Sequence, residues 1–460
     1  MDKKSGTFKI TFYGGVGTVT GANFLIEGAG KRFLVDCGLM QGCFKVCDDA
    51  NRAPFPYEPS SIDAVFITHS HIDHVGRLPK LVKDGFRGVI YSTPPAREIA
   101  ELMLVDSLGV MGKEAARDGL PTIYEENDVS ESMKLWKTSL YKESIDMGGG
   151  IKVRLLDSGH VLGSSMVEVL YNGKKIILTG DLGNSPSPLL NDPETIADAD
   201  YLVIESVYGD RNHESHSERK RRLEEIFERE IRLKGVLMIP AFSLERSQEI
   251  LFEVNDFLEN KKIPHIPIYF DSPLAIKVTK VYSKYKDYFN PDVRDLIKEG
   301  DDIFSFPGLK VTMTTEESRA ISNEPDPKVI IAGSGMSNGG RIIHHEKRYL
   351  PDSKNTLLLI GYQSAGTPGR LLQEGVKSIK ILGEDVPVNA EIITISGYSA
   401  HKDSDALLDF ISHTNDTVKK VFVVMGETRS SLFLAQRLRD NLGVQAVVPS
   451  VGDSFELDMG

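Results

Sequence analysis

The segment Thr68-His69-Ser70-His71-Ile72-Asp73-His74 sets three imidazoles and one carboxylate within six positions, directly after the apolar run 63–67. Imidazole nitrogen suits zinc, and carboxylate oxygen can share it. Buried His and Asp side chains need a compensating charge, so such crowding is costly unless a cation sits among them. One short segment cannot surround a cation, which places the remaining ligands at the ends of other strands. His160 follows the strand pattern 151–156 in Asp157-Ser158-Gly159-His160, and Asp181 follows 175–178 in Thr179-Gly180-Asp181. Asp36 ends the run 32–35, Glu205 ends 201–204, and His401 follows 391–395 and the turn 396–400. An acid at one strand end serves a turn equally well. Several together, delivered from the carboxyl ends of strands, describe a site in an α/β sheet.

The elements that must hold these residues read as α/β throughout. Strands are expected at 8–13, 23–27, 32–35 and 63–68, with helices at 95–108 and 126–139. Beyond 209 the texture changes. Residues 218–233 form a charged amphipathic helix with Leu223, Phe227 and Ile231 four apart. The segments 236–240, 244–258, 266–270 and 274–285 then alternate strand and helix, which implies a parallel sheet with crossover helices. Strands at 328–332 and 356–360 run into glycine-rich turns, and from about 388 the texture of the first part returns, with strands at 390–395 and 420–424. The expected organisation is one domain, 1–208 and 388–460, interrupted by another, 209–387.

A chain of 460 residues exceeds one ordinary core, and 40% apolar residues suit a water-soluble protein. No run of eighteen apolar residues occurs and no basic-then-apolar leader opens the chain, so a cytoplasmic protein without a membrane span is expected. Cys37, Cys43 and Cys47, an odd set lacking a fourth ligand, read as thiols of a reducing compartment. The net charge of −12 argues against broad phosphate binding but not against a local basic groove. In the middle domain, Ile331-Ala332-Gly333-Ser334-Gly335-Met336-Ser337 leads from a strand toward a helix, where free backbone N–H groups favour phosphate. Arg246, Arg341 and Arg370 sit beside comparable turns.

Taken together, these residues resemble the metallo-β-lactamase superfamily and, within it, the β-CASP nucleases. The likeness runs over nearly the whole chain: Gly17-Thr18-Val19-Thr20-Gly21, Val35-Asp36-Cys37-Gly38, His69 to His74, Gly159-His160, Thr179-Gly180-Asp181 and Glu205-Ser206-Val207-Tyr208-Gly209. It continues through Asp271-Ser272-Pro273, Ser334-Gly335-Met336, Gly361-Tyr362-Gln363 and Ser399-Ala400-His401. The resemblance implies an αββα sandwich with an inserted parallel-sheet α/β domain. It implies one zinc held by His69, His71 and His160, a second held by Asp73 and His74, and Asp181 bridging them, with manganese as a substitute metal. Asp36 then orients a ligand, His401 is the general acid and Glu205 orients it. Ser334, Gly335, Ser337, Arg246, Arg341 and Arg370 line a cleft between the domains and grip single-stranded RNA. DNA as substrate and a homodimer stay open. The chemistry is coherent: a metal lowers the pKa of water from about 15.7 to about 7, and a histidine protonates the leaving oxygen. Because the catalytic fold begins within the first ten residues, the grip on substrate is expected from the two core domains alone.

One position departs. Where RNA-processing members of the group carry a histidine ligand near the C-terminus, Val423-Val424-Met425-Gly426-Glu427 offers Met425. A thioether is a poor zinc donor beside imidazole, so the second metal should be the weaker one. A DNA-directed nuclease, a weakened nucleic-acid-binding partner subunit and a small-ester or β-lactam hydrolase are the alternatives.

Overall fold

The computed structural model describes residues 6–42, 44–364 and 366–460. The chain divides into two units, one built from the residues up to Ser187 with Asn191–Asn212 and His401–Gly460, the other from Pro188–Leu190 with His213–Ala400.

In the first unit, Thr7–Gly14 begins by alternating exposed and buried positions, the period of a strand, and is then buried on both faces from Ile10 to Phe12. It lies between Asn23–Gly28 and Ser454–Asp458 in a seven-stranded sheet that continues through Lys31–Val35, Ala64–Phe66, Val89–Ser92 and Trp136–Thr138. A second seven-stranded sheet runs from Ala446–Val447 through Lys420–Val424, Tyr201–Glu205, Lys174–Leu178, Ser165–Tyr171 and Ile151–Asp157 to Ile145–Gly148. Phe8, Phe12, Phe24, Phe33 and Phe66 of the first sheet share one core with Val153, Val167, Val169, Ile176 and Phe422 of the second. Each sheet covers its other face with helices. Leu25, Leu34 and Val65 pack against Leu78, Leu81, Leu104 and Val129, while Ile177, Leu202 and Val423 pack against Leu407, Ile411, Leu434 and Leu438. This is the αββα layering expected from the sequence.

The second unit holds a six-stranded sheet in the order Leu309–Val311, Ile268–Phe270, Lys328–Ala332, Val236–Pro240, Thr356–Leu359, Glu391–Thr394. All its pairings are parallel, and its central strands are buried along their whole length, which is why they read as unbroken apolar runs.

Three expectations change. Glu391–Thr394 does not return to the first unit; it pairs with Thr356–Leu359 at the edge of the middle sheet. The helix expected at 126–139 stops at Lys134, and Trp136–Thr138 becomes an edge strand, with the indole N–H of Trp136 donating to Ser92 Oγ at 2.8 Å. Cys37 is free and buried, its thiol pushed up to about 12 by burial, but Cys47 is disulfide-bonded, and Cys43 lies outside the described residues. Among the described residues no helix is long and apolar enough to cross a membrane.

Candidate functional site

Both sheets of the first unit deliver side chains from the carboxyl ends of their strands. Lys31–Val35 ends in Asp36, and Ala64–Phe66 leads into His69, with His71 capping the short helix Ile72–Val75 that carries Asp73 and His74. In the second sheet, Ile151–Asp157 leads to His160, Lys174–Leu178 to Asp181, and Tyr201–Glu205 ends in Glu205. The turns carrying His160 and Asp181 touch: Gly183 N–H donates to the Ser158 carbonyl at 2.8 Å, and a Cβ on Gly183 would meet the Gly159 carbonyl oxygen at 2.0 Å. Ser164, part of the Gly163-Ser164 pair that accompanies Gly159-His160 in the family resemblance, accepts from the amides of His160 and Val161 and shapes the His160 turn.

The donor atoms of His69, His71, His160 and Asp181 lie within 4.8 Å of one another. His69 Nε2 is 3.0 Å from His71 Nδ1, His160 Nε2 is 3.4 Å from the same atom, and Asp181 Oδ2 is 3.5 Å from both Nε2 atoms. A tetrahedral zinc with bonds of about 2.0–2.1 Å separates its ligands by about 3.3 Å. These four separations, 3.0 to 3.5 Å, suit donors gathered around one small cation. Asp181 Oδ2 also stands 3.6 Å from His74 Nε2, itself 3.9 Å from Asp73 Oδ2. Among the described residues, His74 Nε2 and Asp181 Oδ1 are buried with no hydrogen-bond partner. Orphaned buried atoms of this kind are rare unless a further group satisfies them. The donor set fits a divalent cation.

The electrostatics agree. Burial holds the pKa of His69 well below its ordinary value, with His74 adding to the effect, so its ring stays neutral and its lone pair available. Burial raises Asp73 to about 6. Burial opposes charge on His74, yet Asp181 and Asp36 outweigh it and hold its pKa well above the usual range. Carboxylates that draw a proton onto an unsatisfied nitrogen draw a metal ion there by the same attraction. Asp181 itself, although burial would raise it, is held well below the carboxylate range, with His74 the largest cause.

Beside this cluster, both oxygens of the buried Glu205 lie 3.1 Å from His401 Nδ1, and Glu205 Oε1 also accepts from the Leu182 amide at 2.7 Å. Burial works against the His401 charge, but Glu205, with Asp181 and Asp73 behind it, lifts its pKa to about 9. His401 Nδ1 is 4.0 Å from Asp181 Oδ2, and its ring lies 4.7 Å from that of His160. Met425, at the end of Lys420–Val424, is buried with φ +47°, and its Sδ lies 2.5 Å from where a Cβ on Gly15 would be. It fills space as a packing residue.

Three family models cover most of the chain: the metallo-β-lactamase superfamily over 16–241, the β-CASP domain over 247–372, and the zinc-dependent metallo-hydrolase RNA specificity domain over 385–449. A ribonuclease of Thermus thermophilus is 36% identical over 430 residues, 94% of this chain and 96% of the relative. The chain is a β-CASP metallo-β-lactamase. The transcription termination factor FttA of Methanosarcina mazei is 30% identical to this β-CASP chain over 95% of it and 70% of the relative. An RNase J-like protein of Methanocaldococcus jannaschii is 31% identical over 96% and 98%. A solved structure from Enterococcus faecalis, titled as a protein of unknown function, shares the fold with a TM-score of 0.56 at 12% identity over 98% of this chain and 100% of that one.

The residues expected to grip substrate all fall in the second unit, and most are engaged internally. Arg246 is 5% exposed; its guanidinium donates to Glu249 and to the Tyr398 carbonyl, so it braces the interior and is not a surface cation. Ser337 is 3% exposed and donates to Glu346, and Gly335 lies buried under the Phe242 ring. Arg341 pairs with the buried Asp271 at 2.6 Å and donates to the carbonyls of Thr312 and Met313. Ser334 donates to Asn338, while Arg370, 38% exposed, pairs with Glu374.

Proposed function

We propose that this chain is a zinc-dependent ribonuclease that hydrolyses phosphodiester bonds of single-stranded RNA, with its catalytic chemistry in the first unit. The observation that carries the reading is the convergence of donor atoms of His69, His71, His160 and Asp181 within 4.8 Å of one another beside a carboxylate-held histidine. Relatives named as a ribonuclease and an RNase J-like protein, and a family model named for RNA specificity, support RNA as the substrate.

In this reading His69, His71 and His160 would hold one zinc, Asp73 and His74 would hold a second more weakly, and Asp181 would serve both; manganese could take the place of zinc. When bound, the metal supplies an acidified water as nucleophile and positive charge against the phosphate. Glu205 accepts the Nδ1 proton of His401 and fixes its ring, which leaves Nε2 to carry a proton to the leaving oxygen. The raised pKa keeps that proton in place at neutral pH. Arg370, partly exposed and paired with Glu374, is the residue of the expected set best placed to turn toward the RNA backbone.

The test is cleavage of end-labelled single-stranded RNA and DNA of the same sequence by purified protein, chelated and then reloaded with zinc or manganese. RNA cut in a metal-dependent way is the expected result. Cleavage of DNA alone, or of neither, refutes the reading.

A further inference from the structure

Asp36 and Thr68 stand outside the donor set, yet both are buried and both touch it. Asp36 accepts the Thr68 amide at 2.8 Å through Oδ1, and through Oδ2 it meets Thr68 Oγ1 at 2.8 Å and His74 Nδ1 at 2.7 Å. Thr68 Oγ1 also lies 3.1 Å from His69 Nδ1. A carboxylate only accepts, so the protons in this network have one consistent placement. The Thr68 hydroxyl donates to Asp36, His74 donates its Nδ1 proton to Asp36, and the lone pairs of Thr68 Oγ1 are left to accept the Nδ1 proton of His69. With its proton on Nδ1, the neutral His69 turns the lone pair of Nε2 toward Asp181, and His74, anchored through Nδ1, presents Nε2 to the same carboxylate as the nitrogen that a cation would take over from a proton. The turn before Asp181 packs on Thr68 from the other side: a Cβ on Gly180 would lie 2.6–2.9 Å from three Thr68 side-chain atoms, so a glycine is what lets the turn come this close to the threonine.

We propose that Thr68 is a positioning residue: its hydroxyl, held by Asp36, fixes the tautomer of His69 and with it the ligand atom that His69 presents. The inference rests on the metal-centre reading. A threonine directly before the first ligand is more than the end of a strand: it is the link that lets one buried carboxylate orient two imidazoles, and partners of this kind typically change metal affinity ten- to a hundredfold.

Zinc alone is the probe, titrated into metal-free wild type, Thr68→Ser and Thr68→Val in competition with a chromophoric chelator, with melting of each metal-free protein recorded alongside. Thr68→Val keeps the shape and loses the hydroxyl, so its tightest zinc should bind about ten- to a hundredfold more weakly. Thr68→Ser keeps the hydroxyl and should stay near wild type, and cobalt(II) in its site should match the wild-type visible spectrum where the valine variant does not. Nitrogen-15 NMR of metal-free wild type reads the tautomer without any substitution and should find the His69 proton on Nδ1. Valine binding as tightly as wild type, serine failing as badly as valine, or a proton on His69 Nε2 overturns the inference. No zinc binding by wild type overturns the metal-centre reading itself.

Discussion

Replacing Asp181 by Asn keeps the side chain's shape and removes the charge around which the donors gather. Its Oδ2 lies 3.5 Å from the Nε2 atoms of His69 and His160, 3.6 Å from His74 Nε2 and 4.0 Å from His401 Nδ1. At 3.6 Å two unit charges attract by about 4 to 5 kcal/mol at an effective dielectric of about 20. In metal-free protein that attraction is the largest cause raising the His74 pKa, so Asp181→Asn should lower it, visible in a histidine titration by NMR. Against a bound cation, losing even about 3 kcal/mol weakens binding roughly a hundredfold. The expected variant is folded, retains little metal after dialysis and has lost RNA cleavage. Elemental mass spectrometry, circular dichroism and single-turnover cleavage measure the three properties. Folded Asp181→Asn protein with full metal content and undiminished cleavage would refute the argument.

His401→Ala should slow cleavage by about a hundredfold or more with metal content unchanged, and the defect should shrink on a substrate with a better leaving group; metal loss would instead make His401 a ligand. Burial, opposed by little besides the Ser337 hydrogen bond, raises Glu346 to about 7 from 4.5, so the folded state holds its proton more tightly than the unfolded chain. Its contribution is therefore fully present below about pH 4.5 and lost as pH rises through about 7, a change of about 3 kcal/mol at about 1.36 per unit. Glu346→Gln should flatten that slope in urea unfolding at acid and alkaline pH, and an unchanged slope would refute the assignment. Met425→His should raise occupancy of the second metal position, read as metal stoichiometry; two tightly held metals in the unmodified protein would sink that expectation.

The candidate metal centre was legible because residue types that can ligate a metal crowd into one segment and recur where apolar runs stop, features that need no knowledge of pairing. Asp36, His160, Asp181, Glu205 and His401 all surfaced that way, and all lie at or close to the cluster. What the sequence hid was nonlocal. Apolar periodicity marks 391–394 as a strand but not which sheet receives it, since its partner Thr356–Leu359 is chosen by packing. Arg246 reads as a cation near a turn. Its burial depends on the Tyr398 carbonyl, 152 positions away, and on Glu249, whose helical spacing alone cannot distinguish an exposed pair from an interior one. Thr68 was visible as a letter in a motif, but the reach of its hydroxyl to Asp36, 32 positions back, was not.

The antiparallel register of Thr7–Gly14 with Ser454–Asp458 has a consequence for how the molecule is made. Thr11 and Ser454 bond side chain to side chain across 443 positions, so a ribosome adding about 5–20 residues per second separates their synthesis by roughly 20 to 90 s. Throughout that interval the early strand is an open border of its sheet, with one row of backbone amides and carbonyls available to any other extended chain. Chains that stop before Ser454 keep this border on the eight-residue Thr7–Gly14, whereas the finished molecule moves it to the shorter, five-residue Ser454–Asp458. The shortened products are therefore the more predisposed to stick to one another and to demand chaperones.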